Sequence, residues 1–114
     1  MAHFEFVAWL AKWLLTQRDF VFEWDVGNST KSLQKHGIPL ERAEEVFSNR
    51  EFLVPLGIQV MPVTNEPRFG VLGLDLTGQR LSVCFTIRAG KVRVISSRPM
   101  SELERKMYAS LRKE

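Results

Sequence analysis

Two alternating runs joined by a tight turn constrain this chain more than any other feature. In LSVCFTIR, residues 81–88, Leu81, Val83, Phe85 and Ile87 point one way, and Ser82, Cys84, Thr86 and Arg88 point the other. Ala89-Gly90-Lys91 is a hairpin connection, and VRVISS follows as the last strand. The two runs close as an antiparallel hairpin with one apolar face, and that face needs a cover.

The rest of the chain supplies neighbours and covers. RFGVLGLDL, residues 68–76, reads as a strand, with TGQR turning the chain after it and Asn65-Glu66-Pro67 turning it before. FLVPLGIQVMPV is apolar but broken by Pro55, Gly57 and Pro62, which predicts an irregular or edge strand. VFEWD, residues 21–25, is a short strand pattern. Residues 4–17 read as a helix with a wide apolar arc of Phe6, Val7, Trp9, Leu10, Trp13 and Leu14. Asn28 or Ser29 caps a short helix to about Lys35, stopped by Gly37. ERAEEVF follows Pro39, with Leu40, Ala43, Val46 and Phe47 on one face and Glu41, Glu44 and Glu45 towards solvent. A last helix opens on the capping box Ser101/Glu104, with Leu103, Met107 and Leu111 as its expected buried stripe and Tyr108 beside it. The order predicts an α+β fold: a small antiparallel sheet of about four strands with helices on one face, plus an extra N-terminal helix. Residues 1–20 form the extension and residues 21–114 a single domain.

Composition excludes several classes of chemistry. A single cysteine, Cys84, cannot staple the fold, and with His3 and His36 it gives no metal-ligand spacing. Cys84 lies in a strand pattern and reads as a packed residue. There is no glycine-rich phosphate loop, so no cofactor is expected, and no metal. No run reaches the ~20 apolar residues that span a bilayer, and the N-terminus lacks a basic start and a cleavage site, so a cytoplasmic protein is expected. Charge is uneven. Residues 1–67 hold 6 Lys/Arg and 9 Asp/Glu, a balance of −3; residues 68–114 hold 10 and 4, a balance of +6. That asymmetry points to an anionic partner, nucleic acid first among them.

The strand half is rich in arginine and poor in carboxylates. Arg68 opens one strand, Arg88 ends the next, and Arg93 and Arg98 flank the last. Guanidinium groups bind phosphate through paired hydrogen bonds, and several on one rim suit a nucleic-acid backbone. In a regular strand Arg93 and Arg98 point to opposite faces. At most one then shares a groove with Arg88, unless a bulge intervenes; Arg98 is favoured because it sits where the strand leaves the sheet. The bland alternative pairs these arginines with Glu41, Glu44 or Glu45. His36 likewise reads either as a helix-terminal residue or as a catalytic one, and Tyr108 as a core residue or a groove hydroxyl. Glu66 can simply shape the turn before Arg68.

In order along the chain stand FEWD at 22–25, KHGI at 35–38, ERAEEVF at 41–47, Glu66-x-Arg68, Leu72-Gly73, Thr86-x-Arg88, RVISSR at 93–98, Glu104-Arg105 and Tyr108. This series resembles the BrnT-type toxins from about residue 21 to 108. The resemblance implies a RelE-like fold and a ribonuclease that suppresses translation without a metal. It implies a BrnA-like antitoxin as partner, RNA as substrate, and a toxin homodimer within a hetero-oligomer that contacts DNA only through the antitoxin. It carries catalytic roles to Glu66, Arg68, Arg88, Arg98 and Tyr108, and RNA contacts to Thr86, Arg93, Lys35 and His36. The chain departs from the pattern at Val26, Asn28, Ser32 and Asn49-Arg50, with Gln79-Arg80 set off by one residue. Residues 1–19 precede the usual start of the family, so the N-terminal helix is expected either to meet another chain or to cover a core face of its own domain. Two further readings stand beside the ribonuclease: a non-catalytic member that binds antitoxin or RNA, and a protein-interaction module with no nucleic-acid role.

Overall fold

The computed structural model describes residues 3–23, 38–61 and 67–112. Five antiparallel strands form one sheet in chain order: β1 (His3–Glu5), β2 (Val54–Met61), β3 (Phe69–Leu74), β4 (Arg80–Arg88) and β5 (Lys91–Pro99). Among the described residues three helices accompany it: α1 (Ala8–Thr16), α2 (Leu40–Ser48) and α3 (Glu102–Leu111), with a 3-10 turn at Arg50–Phe52. The α+β class is as the pattern predicts. The expected short helix after Asn28 and its Gly37 stop lie outside the described residues. No described helix is long and apolar enough to cross a membrane.

The first helix begins later than its apolar arc suggests. Residues 3–5 form β1 instead, pairing Phe4 with Gln59 and Glu5 with Ile58 on β2. This adds the fifth strand and makes β2 an inner strand rather than an edge. Gly57 makes the approach possible. Its φ is +115°, and a Cβ there would stand 2.0 Å from the Glu5 carbonyl oxygen. Pro55 sits in the half of β2 that β1 does not reach, so its missing N–H is tolerated.

The apolar face of the sheet is closed by α1 and α2. Phe69, Val71, Leu81, Val83, Phe85, Val92 and Val94 meet Leu10, Leu14, Ala43, Val46 and Phe47 in one buried cluster. Phe47 stands edge-on to Phe85, with centroids 5.0 Å apart, and Phe20 and Phe22 crowd its other sides. Leu10 and Leu14 therefore cover a core face of the domain itself, while Phe6, Trp9 and Leu15 on the same segment stay exposed. Residues 21–23 run along the outer edge of β5. Phe22 bridges Val92 in parallel, and the backbone bonds Glu23 N–H to Val92 and Val92 N–H to Val21 hold it there.

The helices do not all lie on one face, contrary to the sequence reading. Leu72, on the opposite side of β3, packs with Met100 and Tyr108, flanked by Val54, Leu56 and Leu74. The expected buried stripe of α3 is also displaced. Leu103, Met107 and Leu111 are exposed; Glu104 and Tyr108 are the buried pair. Capping explains half of this. Ser101 Oγ accepts from the Glu104 N–H and the Glu104 carboxylate accepts from the Ser101 N–H at 2.9 Å, so Glu104 is drawn inward at the helix start.

Candidate nucleic-acid interface

Register decides which side chains share the second face. Opposed residues on neighbouring strands point the same way. On β4 and β5 the pairs are Ser82–Arg98, Cys84–Ser96, Thr86–Arg93 and Arg88–Lys91. Arg93 and Arg98 are an odd number of residues apart, yet both lie on this face. The cause is a bulge: Cys84 pairs Ser96 and Phe85 pairs Val94, leaving Ile95 as an extra residue. Phe69 pairs Phe85, and the Gln59 N–H bonds the Arg68 carbonyl at 2.7 Å, so Arg68 continues the register opposite Thr86. Arg68, Arg88, Arg93 and Arg98 thus occupy one face, with Ser82, Cys84, Thr86 and Gly70 among them.

The arginines form two groups rather than one rim. Arg68 and Arg93 flank Thr86 in a single cross-strand row, with Arg88 and Lys91 one pair further on. Arg98 lies four β4 residues away, opposite Ser82, or roughly 14 Å along the strand. Thr86 is buried and its hydroxyl donates to the Pro67 carbonyl at 2.7 Å, which fixes the backbone just before Arg68. Arg68 itself makes no side-chain hydrogen bond or ion pair to the described residues.

Arg88, Arg93 and Arg98 are already matched. Glu23, carried by the segment along β5, lies 3.2 Å from Arg93 and 3.5 Å from Arg88. Arg98 makes a two-pronged pair with Glu104, at 2.6 and 2.9 Å. Ser82 Oγ also donates to Glu104 at 3.2 Å. Burial alone would raise the Glu104 carboxyl, but the Arg98 guanidinium, the Ser101 N–H and Ser82 outweigh it and hold the carboxyl below its ordinary range. Of the acidic residues of α2, Glu45 serves elsewhere: it binds Arg42 and accepts from the Leu76 N–H. Tyr108 is turned inward, its hydroxyl donating to the Phe52 carbonyl at 2.5 Å. Burial raises that hydroxyl's pKa, against the opposing pull of Arg112 and Arg80.

Glu66, Lys35 and His36 lie outside the described residues. Among those described, no three His, Cys, Asp or Glu side chains gather as metal ligands. Sequence reasoning missed Glu23 and Glu104 as electrostatic partners of the arginines. Glu104 carried a signal, the capping box, but that motif says nothing about Arg98.

A sheet with one face sealed by α1 and α2, and the other carrying guanidinium groups beside α3, defines an α+β domain chemically suited to an anionic polymer. The family described as ribonuclease toxin, BrnT, of type II toxin–antitoxin system matches residues 24–104. The chain belongs to this family of ribonuclease toxins, and membership brings an antitoxin as partner. Among solved structures, the 1.1 Å crystal structure of the Brucella abortus ribonuclease toxin BrnT is similar, with 21% identity and a TM-score of 0.49, covering 73% of this chain and 99% of that one. Comparison with curated protein sequences gives no significant match.

Proposed function

We propose that this chain is a metal-independent endoribonuclease that cuts RNA and so inhibits translation, and that a BrnA-like antitoxin holds it in check. The reaction is attack of a ribose 2′-oxygen on the adjacent phosphorus. The new O2′–P bond forms as the P–O5′ bond breaks, giving a 2′,3′-cyclic phosphate and a free 5′-hydroxyl. A base takes the 2′-proton and an acid supplies one to O5′. The observation that carries this reading is the placement of Arg68, Arg88, Arg93 and Arg98 on one sheet face. Guanidinium groups fixed by strands can grip phosphate and offset the charge of the pentavalent transition state without reorganising. The roughly 14 Å between the two groups spans more than one phosphate step, so they suit non-adjacent phosphates of one RNA strand. Arg68, with no partner among the described residues, is the group best placed to meet the reacting phosphate. Glu66, two residues before it, is assigned as the base or as the group that orients Arg68. Lys35, His36 and Thr86 are assigned to RNA binding, Thr86 acting by fixing the Arg68 backbone. The toxin is further proposed to act as a homodimer with two antitoxins, meeting DNA only through them.

A second reading has its own support. Arg88, Arg93 and Arg98 all hold intramolecular ion pairs, and the Tyr108 hydroxyl is committed to Phe52. A member that binds antitoxin or RNA without cutting would look the same. The two readings separate on RNA incubated in EDTA with the antitoxin-free protein and with an Arg88→Ala, Arg98→Ala double variant. Cyclic phosphate ends produced by the wild type and lost in the variant establish the nuclease. Intact RNA with measurable binding establishes the non-catalytic reading.

A further inference from the structure

The row holding Arg68 and Arg93 does not stop at β3. Gln59 stands opposite Arg68, and Phe4 of β1 stands opposite Gln59. One line therefore crosses all five strands: Phe4, Gln59, Arg68, Thr86, Arg93. Successive members are about 5 Å apart at the backbone, so Phe4 is rooted about 10 Å from Arg68 and about 20 Å from Arg93. The ring is half-buried and leans over Gly70, which shares this face; a Cβ at Gly70 would come within 2.9–3.2 Å of three ring carbons. Glycine is thus what lets the ring lie against the sheet. Phe4 precedes the family-matched residues 24–104, so nothing in the match assigns it a role.

We propose that Phe4 is a base-stacking residue, taking a nucleobase of the RNA whose phosphates meet Arg68 and Arg93. This rests on the RNA reading above. A flat π surface in line with guanidinium groups is the arrangement that binds single-stranded nucleic acid: charge follows the backbone while the ring takes a base. β1 is then the strand that carries a specificity element to the site, held in place by the close approach at Gly57.

The test uses the full chain, a short labelled 2′-O-methyl RNA that resists cleavage, and an abasic ribose-phosphate oligomer of equal length and charge. Phe4→Ala is expected to weaken RNA binding on the order of 5- to 100-fold, the range seen when a stacking aromatic is removed. The same variant leaves abasic binding unchanged. Phe4→Leu, which keeps an apolar cover but no π face, is expected to share the loss; Phe4→Trp keeps affinity and its fluorescence is quenched by RNA. Gly70→Ala pushes the ring aside and falls between. If Phe4→Leu binds RNA as wild type does, or Phe4→Ala weakens both oligomers equally, the ring is only a cover and the inference is overturned. Wild type binding both oligomers equally overturns stacking but keeps the arginine reading. Wild type binding neither overturns both.

Discussion

The two faces of the sheet are made from alternate residues of the same strands, yet different forces hold them. One is a dry aromatic and aliphatic contact, with Phe47, Phe85, Val83 and Leu81 fully or almost fully buried. The other carries matched charges, Arg98 on Glu104 and Arg88 and Arg93 on Glu23, beside the smaller Leu72, Met100 and Tyr108 cluster, and Arg68 makes no such pair among the described residues. The difference teaches a division of labour: stability is concentrated on the first face, and reactivity on the second.

The sharpest way to break that division is to exchange the effects. Phe47→Ala is expected to cost about 3–5 kcal/mol, because it removes a ring packed on three others and leaves a cavity. Urea unfolding reads this as a lower midpoint at unchanged slope. Arg68→Ala is expected to lower the cleavage rate about 100-fold while stability stays within about 0.5 kcal/mol. A large stability loss there would place Arg68 in the scaffold instead.

Glu104→Gln tests the border between the faces. It keeps the shape but removes the charge that Arg98 grips, and should cost about 2 kcal/mol at neutral pH. The sign with pH follows from the depressed carboxyl of the folded protein. Its contribution is full above the unfolded carboxylate pKa of about 4 and is lost as pH falls through the lower folded value. Stability of the Gln variant should therefore converge on wild type at acid pH. Asp75 adds to the same acid sensitivity: burial opposes its charge, but Thr77 and the Gln79 and Thr77 N–H groups depress its pKa further, so part of the slope remains in the variant. The smallest effect belongs to the hairpin. Ala89 has φ 49°, a left-handed conformation next to Gly90 at 77°. Ala89→Gly should add up to about 1 kcal/mol, read as a small rise in Tm, with no change in RNA binding.

What the sequence disclosed follows from how local each signal was. The β4–β5 hairpin and the capping box of α3 depend on residues a few positions apart, and both stand as read. The buried side of α3 was misjudged because hydrophobicity favoured Leu103, Met107 and Leu111. The residue turned inward beside Tyr108 is an acid whose partner lies on another element. β1 was read as helix since its pairing depends on Gly57, more than fifty residues away. Of the site, the four arginines were visible, but their shared face was conditional on a bulge that no local pattern declares. Glu23 was hidden because its place beside β5 comes from a parallel bridge between distant segments.

Ile95 has no cross-strand partner, and by bulging out it lets the residues on both sides of it keep their places. Exchanging it for another apolar residue keeps the count, so Arg98 still faces Ser82. Removing it joins Val94 to Ser96 directly and leaves Ser96 opposite Cys84 and Arg98 opposite Ser82 in ordinary alternation. What turns Arg98 towards α1 and α2 is pairing Ile95 itself with Cys84, which slides residues 96–99 by one place. Among descendants of this chain, the position can be lost as well as respelled without moving Arg98.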